Sequence, residues 1–171
     1  PRFCGIHFFN PPRYMALVEL IATRTTDPAS LDALEAWLTT RLGKSIVRAK
    51  DTPNFVANRV GVFSILAVMH HTARLGLGFD EVDALTGPII GRPKSATYRT
   101  ADVVGLDTLA HVIGTMQATL PGDPWHAFYQ SPEWLTALIA KGVLGQKTKG
   151  GIFRKDGKAI VVFDPAKQDY R

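Results

Sequence analysis

The sequence predicts a mainly α-helical protein that begins with the tail of an α/β unit and ends in a small hairpin. Three observations lead to this fold class. The first fifty residues follow a strand, strand, helix, strand pattern. From Val56 onward, apolar residues recur with helical periodicity. Near the end, Asp156 and Gly157 separate two short strand-like runs, which is typical of a hairpin turn.

The first part of the chain contains well-marked ends of secondary structure. Apolar runs at residues 3–9 and 15–22 flank an Asn-Pro-Pro-Arg break, which predicts two strands joined by a turn. A helix follows, with Asp27 as N-cap, Pro28 in the first position and Gly43 as the left-handed stop. Its predicted buried face carries Leu31, Leu34, Leu38 and Leu42. Residues 44–50 then predict a third strand.

The second part is predicted to be helical, after a junction at Asp-Thr-Pro-Asn-Phe. The first helix is apolar over most of its surface, so we expect it to be buried by its own domain or by a second helical domain. Asp80 is the expected cap of a short helix, and the segment GPIIGRP predicts a loop. The domains are expected at residues 1–52 and 53–171. The predicted helices cover residues 56–75, 80–86, 98–104, 107–120 and 131–142.

Composition excludes several classes of protein. The chain has 171 residues, of which 46% are hydrophobic and 20% charged, as in one globular domain or slightly more. No apolar run predicts a membrane span and no secretory signal is recognisable, so we expect a cytoplasmic protein. The net charge is +5, but lysine and arginine are scattered, so we expect no nucleic-acid partner. The chain begins without methionine and runs at once into a predicted strand, which we interpret as a sign of an excised piece of a longer protein.

His7 and Glu19 are the strongest candidates for chemistry. If the first two strands pair antiparallel about a turn near Arg13, His7 lies opposite Glu19, with Cβ atoms roughly 4.5 to 5.5 Å apart. A carboxylate bound to one ring nitrogen fixes the tautomer and leaves the other nitrogen free for general acid–base catalysis. The alternative interpretation is that His7 binds a backbone carbonyl and Glu19 lies on an exposed strand face.

Other conspicuous residues give weaker predictions. His70 and His71 are adjacent on a helix and point about 100° apart, so they do not form an i, i+4 metal pair, and we predict no metal site. Lys147 and Lys149 lie beside glycines, where they either contact phosphate groups of a ligand or belong to a solvated loop. The single cysteine, Cys4, forms no internal disulfide or cysteine metal cluster.

Five segments together resemble one protein family. GIHFFNPPRYMALVELI is followed in order by TPNFVANRV, GPIIGRP, ADVVGLD and LGQKTKGGIFR. This series is similar to the 3-hydroxyacyl-CoA dehydrogenases of fatty-acid β-oxidation, and most similar to bacterial fused multifunctional members. The resemblance implies the last strands of a Rossmann-type NAD-binding domain. It also implies an all-α domain like the C-terminal domain of 6-phosphogluconate dehydrogenase.

The resemblance also implies roles for individual residues. The catalytic histidine of the family falls on His7 and its partner glutamate on Glu19. The family's asparagine near the nicotinamide falls on Asn10, and the asparagine that contacts the acyl-CoA substrate falls on Asn58. The implied reaction is NAD-dependent oxidation of an (S)-3-hydroxyacyl-CoA thioester to a 3-ketoacyl-CoA, in a homodimer or against a second helical domain.

Two departures from the family pattern affect this expectation. Asn54 stands where the family usually has glycine, a tolerant replacement because asparagine accepts a left-handed backbone. Gly151-Ile152-Phe153-Arg154 stands where the family commonly has Gly-Phe-Tyr, so the sequence does not predict the family's aromatic contact at this place.

No Gly-x-Gly-x-x-Gly turn is present, and the family's catalytic serine would precede Pro1. We therefore expect this polypeptide alone to bind NAD poorly and to be inactive.

Two other functions stay open at this point. The first is a non-catalytic helical module that oligomerises or holds a partner in a multienzyme complex. The second is a related NAD(P)-dependent dehydrogenase that acts on a small hydroxy acid instead of a thioester.

Overall fold

A computed structural model describes residues 1–171, and its contacts divide the chain into two compact units. The first unit comprises Pro1–Val60 and the second Gly61–Arg171. None of the helices is both long enough and apolar enough to cross a membrane.

The first unit is built on a three-stranded sheet in the order β1-β2-β3. Strand β1 pairs antiparallel with β2, and β3 pairs parallel with β2 after helix α1. A parallel pair requires such a crossover, so β2, α1 and β3 form a βαβ unit. The predicted strand, strand, helix, strand order is confirmed. The elements are β1 (Cys4–Phe8), β2 (Leu17–Ala22), α1 (Pro28–Leu42) and β3 (Ser45–Lys50).

The ends of helix α1 form as the sequence predicts. The Asp27 side chain accepts a hydrogen bond from the Ala29 N–H, and Gly43 adopts the left-handed conformation at φ +62°. On the buried face, Leu38 packs with Val18 of the sheet. The prediction for Leu42 is wrong, because this side chain is 45% exposed and the buried face ends before the last turn.

The second unit is helical, as predicted, around one apolar core. Its core includes side chains from every helix and from the C-terminal strands, among them Leu66, Leu109 and Phe163. The short GPIIGRP loop contains a single 3₁₀ turn at Pro88–Ile90. The helices are α2 (Ala57–Leu75), whose first four residues belong to the first unit, α3 (Phe79–Leu85), α4 (Tyr98–Val104), α5 (Leu106–Thr119) and α6 (Glu133–Ala140).

Carboxylate side chains bind the N-termini of two helices in this unit, and at α3 the residue differs from the predicted one. Asp80 is not the cap of α3, because the helix begins at Phe79 with Gly78 as N-cap. The Asp80 carboxylate binds the Arg171 guanidinium at 2.6 Å. Instead the Glu81 side chain accepts the Gly78 N–H at 2.6 Å. The N-terminus of α4 binds the buried carboxylate of Asp83, which accepts N–H groups at residues 97–99. Burial raises the pKa of Asp83, and these three hydrogen bonds oppose that rise.

The chain ends in a three-stranded antiparallel sheet, one strand larger than the predicted hairpin. Strand β4 (Phe153–Asp156) pairs with β5 (Ala159–Asp164), and Gly157 supplies the turn at φ +57°. The additional strand, β6 (Asp169–Tyr170), pairs with β5. A two-residue strand has too short a pattern to be recognised in a sequence.

Gly151 lies against the buried carboxylate of Asp102, where a larger residue does not fit. Asp102 accepts the N–H groups of Ile152 at 2.8 Å and Phe153 at 2.9 Å, and a Cβ on Gly151 would overlap this carboxylate. We expect Gly151→Ala to lower the free energy of unfolding by about 2 to 4 kcal/mol. Urea unfolding followed by tryptophan fluorescence measures this change, since Trp134 packs against the core of the same unit.

Gly114→Ala is the matched control for this substitution. Gly114 lies inside α5 and an added Cβ meets no atom within 4 Å, so alanine should stabilise the helix by up to about 1 kcal/mol. Equal unfolding free energies for the two variants would contradict the role assigned to Gly151.

Candidate active site

The turn between β1 and β2 brings His7 and Glu19 into direct opposition. The Pro11 carbonyl accepts the Tyr14 N–H at 3.0 Å and the Met15 N–H at 3.1 Å, which closes the turn. In the antiparallel pair His7 is the register partner of Glu19. The predicted pairing of these two positions is therefore confirmed.

Both carboxylate oxygens of Glu19 form hydrogen bonds within the first unit. One carboxylate oxygen, Oε2, lies 2.7 Å from His7 Nδ1. The other, Oε1, accepts the N–H groups of Val56 at 2.9 Å and Ala57 at 2.8 Å, at the start of helix α2. The Glu19 side chain is 0% exposed. The alternative interpretation, with Glu19 on an exposed strand face and His7 bound to a carbonyl, is wrong.

The surroundings of Glu19 favour its ionised form. Burial by itself raises the pKa of Glu19, but the hydrogen bond from His7 and those from Ala57 and Val56 outweigh burial, so the pKa is lowered. Backbone N–H groups at a helix start also carry partial positive charge, which stabilises a carboxylate there. Glu19 is thus a fixed negative charge beside the imidazole of His7.

The His7 ring is oriented so that one nitrogen stays available. With Glu19 ionised, Nδ1 carries the hydrogen and donates it, so in the neutral ring Nε2 holds a lone pair. Nε2 makes no hydrogen bond within residues 1–171. The side chain is 27% exposed. A ring with these features is equipped to accept a proton from a bound molecule.

Two phenylalanines pack against His7 and restrict its movement. The ring centroid of Phe9 lies 4.6 Å away and that of Phe55 5.6 Å away. Asn54 and Phe55 both have positive φ, at 59° and 50°, as the tolerance of asparagine predicts for position 54. The contact of Phe55 with His7 was missed in the sequence, where only the Thr-Pro-Asn-Phe junction marks an irregular backbone. This backbone presents the Val56 and Ala57 N–H groups to Glu19.

The two asparagines predicted to bind cofactor and substrate have polar groups without partners in the chain. Asn10 lies two residues after β1 and is exposed. Asn58 lies in the first turn of α2, directly after the amide that binds Glu19, and is half-buried. Neither side chain forms a hydrogen bond within residues 1–171. Their binding roles stay predictions.

The remaining sequence candidates lie outside this arrangement. His70 contacts Phe128 edge-on at 5.1 Å. Lys147 forms an ion pair with Asp107 at 2.6 Å, and Lys149 adopts a left-handed conformation in the same loop. Residues 1–171 contain no group of three His, Cys, Asp or Glu side chains that could hold a metal ion.

Comparisons with known proteins point to one family along almost the whole chain. Residues 1–52 match the model of the 3-hydroxyacyl-CoA dehydrogenase NAD binding domain, and residues 55–155 match that of the 3-hydroxyacyl-CoA dehydrogenase C-terminal domain. A Bacillus subtilis protein described as a probable 3-hydroxyacyl-CoA dehydrogenase is 45% identical over 168 residues. This alignment covers 98% of the chain and 21% of the relative.

Two crystal structures share the fold. FadB2 of M. tuberculosis superimposes with a TM-score of 0.79 at 31% identity, over 90% of this chain and 52% of that one. The (S)-3-hydroxybutyryl-CoA dehydrogenase PaaH1 from Ralstonia eutropha gives a TM-score of 0.75 at 33% identity, over 87% and 50%. The chain therefore spans about half the length of these structures and a fifth of the Bacillus relative.

Proposed function

Because the chain belongs to the 3-hydroxyacyl-CoA dehydrogenase family, we propose that it carries the general base of an NAD-dependent (S)-3-hydroxyacyl-CoA dehydrogenase. The reaction converts the 3-hydroxyacyl-CoA thioester to a 3-ketoacyl-CoA. The observation that carries the proposal is the hydrogen bond between His7 Nδ1 and the buried carboxylate of Glu19. The proposal concerns the product of the complete reading frame, in which these residues act.

His7 acts as the proton acceptor in this mechanism. Its Nε2 takes the proton of the 3-hydroxyl group as the carbon–hydrogen bond at carbon 3 breaks. The ring becomes an imidazolium, and the neighbouring Glu19 carboxylate balances the new charge without moving. In the reverse reaction, His7 returns the same proton to the carbonyl oxygen. Phe9 and Phe55 hold the ring in place between the two steps.

The residues present do not fit the pyrophosphate of a dinucleotide. Such folds hold it at a helix N-terminus after a glycine-rich turn. Here the N-terminus of α1 is covered by the Asp27 carboxylate, which binds the Ala29 N–H and the Ser30 hydroxyl, and residues 23–26 contain no glycine. Of this chain's residues, we assign only the exposed Asn10 to the cofactor, and bound NAD would supply the acceptor for the hydride that leaves carbon 3.

Asn58 is the proposed contact to the acyl-CoA thioester. Its amide carries two donor hydrogens and an acceptor oxygen, all unpaired within the chain, and it is half-buried. A substrate carbonyl or hydroxyl oxygen that binds there would satisfy the amide. Asn58 lies in the first turn of α2, directly after Ala57, whose N–H binds Glu19. The proposed substrate contact and the support of Glu19 therefore share one backbone segment.

Several expectations about the whole protein belong to this proposal. We propose a boundary between residues 52 and 53, and a second domain with the 6-phosphogluconate dehydrogenase C-terminal-like fold. A homodimer, or packing against a second helical domain, and a cytoplasmic location also stay predictions. Exposed apolar side chains such as Ile89, at 77%, and Val103, at 56%, are compatible with a covering partner.

The experiment is an NADH-dependent reduction assay with the product of the complete reading frame. We expect kcat/KM for acetoacetyl-CoA to exceed that for free acetoacetate by at least about 100-fold, because binding of the coenzyme A portion contributes to catalysis. A preference for the free acid would support the small hydroxy-acid dehydrogenase instead. No reduction of either compound would support the non-catalytic module.

A further inference from the structure

The second unit contains an open pocket with a strongly positive lining. Its volume is about 510 Å³, and it lies between α4, the loop before β4 and the β4–β5 hairpin. We call it the basic pocket. Its cationic lining residues are Arg99, Lys149, Arg154, Lys155 and Lys158.

The positive charge of the basic pocket is only partly offset by the chain, since the carboxylates of Asp83 and Asp102 interact electrostatically with Arg99. None of its five cations forms an ion pair with a carboxylate of residues 1–171. The single acidic residue of the lining is Asp102. Its two oxygens accept the N–H groups of Ile152 and Phe153, so they are turned to the backbone. An anion that entered the pocket would meet unpaired cations.

Aromatic rings hold both guanidinium groups in place. The Arg99 guanidinium lies 4.1 Å from the ring centroid of Phe153, and that of Arg154 lies 3.8 Å from the ring of Tyr170. Such contacts favour a planar orientation and lower the entropy lost when the arginine binds. Guanidinium groups bind phosphate oxygens in bidentate geometry, and lysines add point charges. The lining therefore matches phosphate groups better than a single carboxylate.

The shape of the basic pocket restricts its ligand. Its volume falls within the range of small-molecule sites, about 300 to 1,000 Å³. Besides the cations, the side chain of Ile160, which is 62% exposed, gives the wall an apolar patch. A ligand with phosphates and a flat organic portion would use both features. A duplex or a lipid surface is too broad to enter a concavity of this size.

We propose that the basic pocket binds a small organic polyphosphate. This chemical class includes nucleoside diphosphates and the phosphorylated end of coenzyme A. The proposal depends on the charge, the stacked guanidinium groups and the volume of the pocket, and it does not require the dehydrogenase activity.

The experiment is isothermal titration calorimetry of the chain with ADP, coenzyme A, inorganic pyrophosphate and adenosine. We expect saturable binding of the three phosphorylated compounds, weakened by added salt, and none of adenosine. The variant Lys155→Gln/Lys158→Gln should bind ADP at least about tenfold more weakly, because two charge-assisted contacts are lost. The control Lys94→Gln/Lys167→Gln removes the same charge from exposed sites outside the pocket and should change binding less than about twofold.

The outcomes distinguish a free nucleotide from coenzyme A as the ligand, and they define what would overturn the proposal. ADP binding as tight as that of coenzyme A indicates a free nucleotide, and tighter binding of coenzyme A indicates the coenzyme; either supports the pocket. The proposal is overturned by absence of polyphosphate binding or by equal losses in the two double variants. Heat of binding is the readout, so an inactive dehydrogenase would leave the result unaffected.

Discussion

His7→Gln is expected to abolish most of the 3-ketoacyl-CoA reductase activity in the product of the complete reading frame. Glutamine keeps a polar side chain of similar length but cannot exchange a proton at neutral pH. A general acid–base residue contributes about 10²- to 10⁴-fold, so we expect kcat to fall by that factor. KM for acetoacetyl-CoA should change little, because the proton transfer is made only in the transition state.

His111→Gln is the matched control for the His7 substitution. His111 lies on an exposed part of α5 and its ring has no contact with another aromatic group. The same change of residue type should leave kcat within about twofold of the unmodified enzyme, as for surface substitutions in general. Comparable losses in the two variants, or full activity of His7→Gln, would contradict the role of His7.

Glu19→Gln is expected to reduce both stability and activity. An amide at this buried position brings an NH₂ group toward either the His7 Nδ1 hydrogen or the N–H groups of Val56 and Ala57. In the first case the ring must change its tautomer to accept the NH₂ group, and in the second case a backbone N–H loses its acceptor, which costs about 1 to 3 kcal/mol of unfolding free energy. Because the histidine also loses its orienting anion, we expect kcat to fall at least about 100-fold. Urea unfolding and the acetoacetyl-CoA assay measure the two effects.

The stabilisation from Glu19 should depend on pH in a defined direction. The folded-state pKa of Glu19 is lowered, so its contribution is complete above the ordinary glutamate value of about 4.3. It is lost as the pH falls through the folded pKa, because the unfolded chain binds the proton first. The stability difference between the unmodified chain and Glu19→Gln should therefore shrink on acidification. A difference that grows instead would contradict the assigned charge of Glu19.

Glu35→Gln is the control for these measurements. Glu35 is a half-exposed partner of Arg48 at 2.6 Å on the surface of the same unit. Loss of such an exposed, solvent-screened pair should change the free energy of unfolding far less than loss of the buried Glu19 carboxylate does. It should leave kcat unchanged. An effect as large as that of Glu19→Gln would show that any lost carboxylate in this unit has the same consequence.

Much of the fold could be predicted because its signals are local. Asp27, Pro28 and Gly43 mark the ends of α1 through their own backbone preferences, and the break after β1 sets the register that opposes His7 to Glu19. The family resemblance is also confirmed, since it depends on several motifs in order. These features require only residues that are near one another in the sequence.

The parts that the sequence did not predict depend on contacts between distant residues. Glu19 binds the start of α2 from 37 positions away, and Asp102 binds the Ile152 N–H from 50 positions away. Both of these partners are chosen by the packing of the chain, and a single sequence carries no periodic or spacing signal for them. The start of α3 is different, because the i, i+3 spacing of Gly78 and Glu81 is that of a capping box and could have been recognised in the sequence.

The ring nitrogens of His7 provide the most direct test of the central claim, that Glu19 holds this histidine ready to accept a proton. The measurement is ¹⁵N NMR of the histidine side chains in the unmodified chain and in Glu19→Gln, at a pH where the ring is neutral. We predict that His7 carries its hydrogen on Nδ1 in the unmodified chain and that this preference is lost in the variant. A hydrogen on Nε2 in the unmodified chain, or the same tautomer in both proteins, would contradict the account.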